Sequence, residues 1–194
     1  MYYKWGKPNK ENYQDVVIKY YTFFEDNFGK DILRKNNYRN YLLFLLGINS
    51  GLRISDILKL KVQDVKNKSY IELIEQKTGK YKRFPITNSF KSELQDYVKN
   101  RKSEEWLFTS QRGNNHISRV QAYRILRNVC EKVEITSKIG THTLRKTFGY
   151  HFYQKNHDIA LLQCIFNHSN PSVTLRYIGI NQDMIDESLN SFYL

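Results

Sequence analysis

The sequence has little cysteine, few acidic residues and no long apolar run. Each of these shortages excludes particular classes of protein. Only two cysteines occur among the 194 residues, Cys130 and Cys164, and both lie among apolar neighbours at helical spacing. We therefore expect two buried, reduced thiols, and neither a disulfide framework nor a cysteine metal site. The longest apolar run, Tyr41 to Leu46, is followed by Gly47 and is too short to span a bilayer.

The beginning of the chain lacks an apolar segment of the kind that directs secretion. Its first residues are M-Y-Y-K-W-G-K-P, which predicts a cytoplasmic protein with no membrane association. A length of 194 residues suits one substantial core, and the sequence contains no internal repeat or low-complexity linker. We expect a basic arm at residues 1–12 followed by a single domain at residues 13–194.

Acidic residues are outnumbered by basic ones. Lysine and arginine total 31 against 19 aspartates and glutamates, which gives a formal net charge of +12. The sequence pI of about 9.6 meets the usual electrostatic criterion for a nucleic-acid partner. The same surplus also fits a soluble basic protein without such a partner, because total charge does not say how the charges are distributed.

The spacing of apolar residues predicts a mainly helical chain, because they recur at intervals of three and four. The predicted helices cover residues 13–28, 37–50, 54–60, 88–99, 118–133 and 143–156, then a helix capped by Asp158, a short helix opened by Asn170 and Pro171, and an amphipathic C-terminal helix at about 182–190. Residues 70–86 instead alternate apolar and polar side chains around Q-K-T-G-K, which predicts a β-hairpin with Gly79 in its turn. The predicted fold class is α+β, mainly α with a small antiparallel β-hairpin.

Local signals mark where some of these helices begin. Ser55 is the predicted cap of helix 54–60, and Ser118 with Gln121 has the pattern of a capping box at the start of helix 118–133. Helix 37–50 is apolar over much of its circumference. We therefore expect it to form the buried centre of the fold.

The stretch from Thr141 to Tyr177 carries the residues that point to chemistry. In T-H-T-L-R, His142 and Arg145 lie three residues apart and share one helical face, so they can form half of an anion site. Downstream, the helix opened by Asn170 places the Tyr177 phenol near cationic donors. A phenol is a covalent nucleophile, and guanidinium and imidazolium groups stabilise phosphoryl transition states. The pattern predicts metal-free phosphodiester chemistry, although each piece alone also fits a solvated helix face.

Arg53 is a second candidate anion ligand. It follows Gly51 in G-L-R-I-S-D, at a predicted junction between two apolar helices. Burying a guanidinium there is expensive unless it meets an anion. An ion pair with Asp56, three residues later, explains the same pattern equally well.

Six further cations are predicted to contact DNA phosphates. They crowd the hairpin tip or follow the polar side of helix 118–133, and a solvated turn or helix face is the alternative for each. These residues are Lys80, Lys82, Arg83, Arg119, Arg124 and Arg127.

An ordered set of residues resembles the tyrosine recombinase (phage integrase) family over the chain from about Tyr13 to the end. Six positions occur in the family order, each in the local sequence context that the family shows. They are Arg53, Lys77, His142, Arg145, His168 and Tyr177. The resemblance implies the recombinase catalytic-domain fold and a site-specific DNA recombinase that forms a 3′-phosphotyrosyl intermediate without metal, ATP or another cofactor.

The resemblance also implies a role for each position. Arg53 and Arg145 resemble the family arginines that bracket the scissile phosphate, which a guanidinium fork suits better than an ammonium does. Lys77 resembles the hairpin lysine that protonates the leaving 5′ hydroxyl. His142 resembles the histidine that assists proton transfer at the nucleophile.

The remaining positions follow in the same way. His168 resembles the second family histidine, which donates a hydrogen bond to the phosphate, and Tyr177 resembles the nucleophile. Asp56 resembles an acidic position whose role is mainly to brace the fold. Arg176 and the other histidines lie outside the family motifs and are expected to be ordinary surface or core residues.

The chain departs from the usual family plan before residue 13, because most members carry a helical DNA-clasping domain there and this sequence shows none. The resemblance implies a tetramer on double-stranded DNA with a specific site, with the helix at 182–190 a candidate for docking on a neighbouring subunit and with room for an accessory DNA-bending protein. Two alternatives remain: a non-catalytic, recombinase-fold DNA-binding regulator, and a type IB topoisomerase-like enzyme that nicks and seals DNA.

Overall fold

The computed structural model describes residues 37–132 and 140–180, together with positions 189, 190 and 192. The predicted arm at 1–12, the predicted helix at 13–28 and most of the predicted C-terminal helix lie outside these residues. The described part contains seven α-helices, one 3-10 helix and one two-stranded antiparallel sheet. This confirms the mainly helical fold with a single β-hairpin.

The sequence did not predict the 3-10 helix, whereas the other described elements lie within two residues of the predicted bounds, because the apolar spacing that predicted them is also what packs them. None of the described helices is both long enough and apolar enough to cross a membrane. In chain order the elements are α1 (Tyr38–Ser50), α2 (Ile54–Leu58), a 3-10 helix (Val62–Asp64), β1 (Tyr70–Ile74), β2 (Tyr81–Pro85), α3 (Asn88–Val98), α4 (Arg119–Lys132), α5 (Thr141–Asn156), α6 (Ile159–Phe166) and α7 (Pro171–Ile178).

Side-chain caps fix where some of the helices begin. Asp158 accepts a hydrogen bond of 2.8 Å from the amide three residues later, at the start of α6. Ser118 and Gln121 form the predicted reciprocal capping box before α4. The predicted Ser55 cap is wrong, because Arg53 is the N-cap residue of α2 and no side chain caps this helix. The first helical turn there is left for other partners to satisfy.

The hairpin has one inward face and one outward face. Leu73 of β1 pairs with Lys82 of β2, and Gly79 has a φ of +65° in the turn, which glycine adopts without strain. Since strand side chains alternate, Ile71, Leu73 and Glu75 share a face, and both Ile71 and Glu75 are fully buried. The inward face therefore ends on a carboxylate.

Helix α5 joins two apolar clusters. Its Leu144 belongs to the large cluster built on α1, whereas its Phe148 packs with the smaller cluster of α6 and α7. Gly51 permits the close approach, because it has a φ of +59° and an added Cβ would lie 2.6 Å from the Phe148 ring. Arg145, next to Leu144, is consequently held between the two clusters with 3% of its surface exposed.

One cysteine differs from the prediction. Cys164 is exposed, not buried. Helix α6 buries Leu162 and Phe166, and a residue two positions from each of them is rotated by about 200° to the opposite side of the helix. The side chain of Cys130 lies outside the described part of the structure.

Candidate active site

The first turns of α5 carry His142 and Arg145, whose side chains differ in how deeply they are buried. Gly140 is the N-cap residue, and its amide donates a hydrogen bond of 3.1 Å to the Thr143 hydroxyl. His142 lies at the surface, whereas Arg145, one turn further into the helix, is buried. The two side chains therefore share a face, as predicted, with the imidazole above the guanidinium.

Arg145 is anchored by main-chain oxygens from two distant elements. Its Nη1 donates to the Gly51 carbonyl at the end of α1, and its Nη2 donates to the Phe166 carbonyl at 2.8 Å. The guanidinium carbon also lies 4.3 Å from the centre of the Phe166 ring. Burial lowers the pKa of Arg145 to about 10, so the group stays charged at neutral pH. Its position is fixed before any substrate arrives.

Arg53 meets an anion, but the anion is not Asp56. Its Nη1 lies 2.7 Å from Glu75 Oε1 in an ion pair whose N–H is not aligned for a hydrogen bond. Asp56 instead accepts a hydrogen bond of 3.0 Å from the amide of Gln76. The ion pair with Asp56 considered from sequence is therefore wrong, and Asp56 instead connects α2 to the segment that follows β1.

Glu75 forms the centre of the buried charge cluster. Its Oε2 accepts hydrogen bonds from the Thr78 hydroxyl at 2.7 Å and from Asn167 Nδ2 at 2.9 Å. Its Oε1 lies 3.6 Å from Lys82 Nζ and 4.0 Å from Arg145 Nη1. Burial acts to raise the pKa of Glu75, but the contacts with Thr78, Arg53, Asn167 and Lys82 outweigh it and lower the pKa to about 2. The carboxylate is therefore ionised at all physiological pH values.

Lys82, predicted from sequence to contact DNA, turns its ammonium group inward in this structure. It hydrogen-bonds the carbonyl of Ile165 and faces Glu75. Burial and the charge of Arg145 lower the pKa of Lys82 to about 8, although Glu75 acts in the opposite direction. The cluster thus holds three cations around one carboxylate.

Tyr177 and His168 lie near Arg145, whose charge acts on both side chains. Asn170 caps α7 through a hydrogen bond of 3.0 Å to an amide, with Pro171 as the first helical residue, as predicted. The Tyr177 and His168 rings are 5.2 Å apart, edge to face, and His168 Nδ1 lies 3.1 Å from the Thr174 hydroxyl. Burial raises the pKa of Tyr177, although Arg145 acts to lower it. The phenol is therefore protonated in the free protein and needs a proton acceptor to become a nucleophile.

The nearest candidate acceptor is His142. Its Nδ1 lies 3.4 Å from the Tyr177 hydroxyl. Burial and the charges of Arg145, Arg119, Lys146 and Lys77 lower the pKa of His142. The imidazole is therefore neutral near pH 7 and has a free lone pair for the phenolic proton.

Lys77 has fewer contacts with the other predicted site residues. It is exposed in the hairpin turn, and its ammonium makes no hydrogen bond or ion pair with the residues that the structure describes. Its charge nevertheless reaches His142. The structure thus brings five of the six predicted positions together. The sixth, Lys77, lies beside them on the hairpin turn that is hydrogen-bonded to Glu75.

The other predicted DNA contacts are surface residues. Arg83 stacks over the Tyr70 ring at 3.5 Å, and Arg127 forms an exposed ion pair with Glu131 at 2.9 Å. Such exposed pairs are weak and can exchange partners. Apart from the inward-facing Lys82, the exposed cations of this set are Lys80, Arg83, Arg119, Arg124 and Arg127.

Sequence reasoning missed Glu75 and the inward position of Lys82, although both carry a signal. Glu75 continues the inward parity of Ile71 and Leu73, and Lys82 occupies the inward position opposite Leu73. Charged residues are almost never fully buried unless they are paired. An acid and a base at core positions of adjacent strands therefore predict a buried ionic cluster.

The cations around His168 should make the free energy of unfolding depend on pH in the acid range. Burial, with the charges of Arg145 and Arg53, lowers the pKa of His168 to about 4, whereas an unfolded chain has a value near 6.5. A depressed native pKa contributes stability above the unfolded value that is lost as pH falls. We expect the wild-type free energy of unfolding to drop about 2 kcal/mol more than that of His168→Asn between pH 6.5 and 4, allowing for partial exposure.

Urea denaturation at a series of pH values measures this difference, and the variant corrects for every other titrating group. NMR titration of the imidazole is the direct check. A His168 pKa near 6.5 in the native protein, or equal pH slopes for the two proteins, would contradict the buried cationic surroundings.

The arrangement has the chemistry of an anion site beside a nucleophile. The Tyr177 hydroxyl lies beside the neutral His142 imidazole, and the charges of Arg145 and Arg53 act on both Tyr177 and His168. Within residues 37–132 and 140–180, no group of three or more histidine, cysteine, aspartate or glutamate side chains is placed to hold a metal ion together. The ligand that this geometry fits best is a phosphate.

Comparison with known proteins identifies the family. The Phage integrase family model matches residues 16–184. The probable integrase/recombinase YoeC of Bacillus subtilis (strain 168) is 54% identical over 154 residues, which cover 79% of this chain and 84% of YoeC. Tyrosine recombinase XerA of Pyrococcus horikoshii is 29% identical over 169 residues, or 85% of this chain, but the match covers only 59% of XerA.

The solved structures agree on the fold. The crystal structure of XerA recombinase superposes with a TM-score of 0.70 at 21% identity and covers 91% of this chain and 65% of that one. The chain thus spans less than two thirds of XerA in both comparisons. With a family match over most of its length, a close bacterial relative and the catalytic-domain fold, the chain belongs to the phage integrase family of tyrosine recombinases.

Proposed function

We propose that this chain cuts and rejoins double-stranded DNA at specific sites through a 3′-phosphotyrosyl intermediate, in the cytoplasm. The observation that carries the proposal is the placement of the Tyr177 hydroxyl 3.4 Å from His142 Nδ1, above the buried Arg145 and beside His168. A nucleophile, a proton acceptor and donors for a phosphate thus occur at one place. Family membership supports the same reaction.

The proposed first step exchanges one phosphate ester for another. The Tyr177 oxygen attacks the scissile phosphorus, and its proton passes to the neutral His142 imidazole. The bond from phosphorus to the 5′ oxygen breaks, and Lys77 donates a proton to that oxygen, because an alkoxide is a poor leaving group near neutral pH. A 5′ hydroxyl reverses these steps to rejoin a strand. Phosphodiester energy is retained in the intermediate, so neither ATP nor a metal ion enters as a reactant.

The surrounding donors would stabilise the charge that develops on the phosphate. Arg53 and Arg145 each offer a planar fork of N–H groups, which matches two phosphate oxygens. If Thr174 donates its hydroxyl proton to His168 Nδ1, the Nε2–H of His168 remains free to donate to a third oxygen. Donors fixed before the reaction stabilise the transition state without a reorganisation cost.

The same proposal extends to the partners. The exposed Lys80, Arg83, Arg119, Arg124 and Arg127 would contact DNA phosphates around the site, with further contacts from the basic arm at residues 1–12. A tetramer on two duplexes would be the working unit, with the segment at 182–190 docking on a neighbouring subunit, and an accessory DNA-bending protein fits the same scheme. Because phosphate contacts by lysine and arginine release counterions, DNA binding through these surface cations would weaken as the salt concentration rises.

The test is a suicide DNA substrate that carries a nick beside the cleavage position, so that the cut strand diffuses away. We expect a protein–DNA adduct that survives denaturation, and proteolysis with mass spectrometry should place the nucleotide on the peptide that contains Tyr177. Sequence-specific DNA binding without any adduct would favour the non-catalytic regulator. Relaxation of supercoiled plasmid with no sequence requirement would favour the topoisomerase-like enzyme.

A further inference from the structure

Glu75 stands at the base of the active site and is not used by the proposed reaction. Its side chain has no exposed surface. Its contacts come from Arg53 at the start of α2, Thr78 in the hairpin turn, Lys82 on β2 and Asn167 at the end of α6. No other carboxylate in the described part of the chain is fully buried.

The position of Arg53 depends on this carboxylate. The ion pair with Glu75 is the only hydrogen bond or ion pair that the Arg53 guanidinium makes with the described residues. Arg145 differs, because two main-chain carbonyls anchor it independently of Glu75. Removing the carboxylate would therefore release Arg53 and leave Arg145 in place.

The same carboxylate organises the turn that carries Lys77. The Thr78 hydroxyl donates to Glu75 Oε2 at 2.7 Å, and the amide of Gly79 donates to the Glu75 carbonyl at 2.8 Å. Lys77 lies between the acid and these donors in the sequence, and among the described residues its side chain has no hydrogen-bond or ion-pair partner. Two residues of the turn are therefore hydrogen-bonded to Glu75, and these bonds fix the position of the Lys77 backbone.

Charge balance gives a second reason for the acid. Arg53 Nη1, Lys82 Nζ and Arg145 Nη1 lie 2.7, 3.6 and 4.0 Å from the single oxygen Oε1. Three cations this close repel one another strongly in a buried site. Glu75 offsets part of that repulsion before DNA binds, and because it is fully covered, a phosphate would bind above it without displacing it.

We propose that Glu75 is a positioning residue. It holds Arg53 and the turn that carries Lys77 at the positions where they contact the scissile phosphate, and Lys82 is its buried counter-ion. This inference rests on the proposed DNA cleavage for its effect on rate. Its structural core, the restraint of Arg53 by Glu75, holds independently of the reaction. The two parts can therefore be measured separately.

The experiment compares the full-length wild type with Glu75→Gln, which keeps the shape of the side chain and removes its charge. Relaxation of ¹⁵N at Arg53 Nε reports the restraint directly. We expect an order parameter near about 0.85 in the wild type and below about 0.6 in the variant, while Arg145 stays rigid in both. An unchanged Arg53 order parameter would overturn the proposal, whether or not the protein cleaves DNA.

The second measurement separates binding from cleavage. Removing a negative charge from a DNA site should leave DNA affinity equal to or greater than that of the wild type, because the net positive charge rises by one. Single-turnover cleavage at saturating protein should nevertheless fall about tenfold to a hundredfold, because Arg53 is no longer held against the phosphate. A general loss of structure would lower both. Glu75→Gln cleaving within twofold of the wild type would count against the positioning role.

Two further variants complete the design. Glu72→Gln removes the same charge from an exposed position of β1, and it should leave both Arg53 and cleavage unchanged. The double variant Glu75→Gln, Lys82→Met removes one charge of each sign. It should recover melting temperature relative to Glu75→Gln but not cleavage, and recovery of cleavage would show that Glu75 only neutralises Lys82. If the wild type forms no adduct, the proposed function fails while the order parameters still decide the role of Glu75.

Discussion

Tyr177→Phe should abolish formation of the covalent adduct and leave DNA binding intact. The substitution removes the hydroxyl oxygen that lies 3.4 Å from His142 Nδ1 and on which the charge of Arg145 acts. Because no other group would form the covalent bond in its place, the cleavage rate should fall by at least about ten-thousandfold, the scale seen when a catalytic nucleophile is deleted. The Tyr177 ring also packs edge to face on Phe166, with centroids 5.4 Å apart. Phenylalanine preserves that packing, so the fold should be unaffected.

Tyr153→Phe is the matched control. Tyr153 packs in the same small cluster and its ring contacts His157, so the substitution makes the identical chemical change outside the site. Denaturing gel electrophoresis with the nicked substrate measures the adduct, and a mobility shift measures binding. Equal adduct yields from Tyr177→Phe and the wild type would remove Tyr177 as the nucleophile.

Arg145→Lys should impair both cleavage and stability although it preserves the net charge. Lysine cannot reproduce a fork that donates to two carbonyls and still presents N–H groups to a phosphate. We expect cleavage to fall about a hundredfold to a thousandfold, as for the loss of one preorganised donor. We also expect a stability loss of about 1–3 kcal/mol, because at least one buried carbonyl loses its partner. DNA affinity should change little, since the charge remains.

Arg176→Lys provides the comparison, because Arg176 is exposed on α7 beside Tyr177 and lies outside the charge cluster. It should cleave at the wild-type rate. Single-turnover cleavage, DNA binding and urea denaturation should be measured on both variants at a temperature where each is folded. Cleavage by Arg145→Lys within a few-fold of the wild type would show that the guanidinium is structural and does not act on the phosphate.

The local elements were predictable because their causes are local. Apolar spacing and capping residues placed the seven described α-helices to within two residues, and Asp158 and Asn170 cap their helices as expected. Gly79 adopts the positive φ that the hairpin turn needs. The prediction at Ser55 is wrong because α2 begins at Ile54, so that Arg53 occupies the N-cap position and Ser55 lies inside the first helical turn.

Predictions of burial and pairing were less reliable. Cys164 has apolar neighbours in sequence but lies on the exposed side of α6. Arg53 has an acid three residues away, yet it pairs with Glu75, which comes from a different element. In both instances the pattern along the chain shows only which residue types are near in sequence. Burial and pairing depend on which side of each helix or strand packs against the rest of the fold.

The sequence by itself determined the helices, the hairpin and the ordered set of six residues that marks the family, because spacing, caps and motif order are properties of the chain alone. Only the tertiary structure decided the state of the site: which carbonyls hold Arg145, how close His142 lies to Tyr177, and which cations Glu75 contacts. These contacts join residues as far as 94 positions apart. Their energies depend on burial and on charges from several elements at once, which no local pattern encodes.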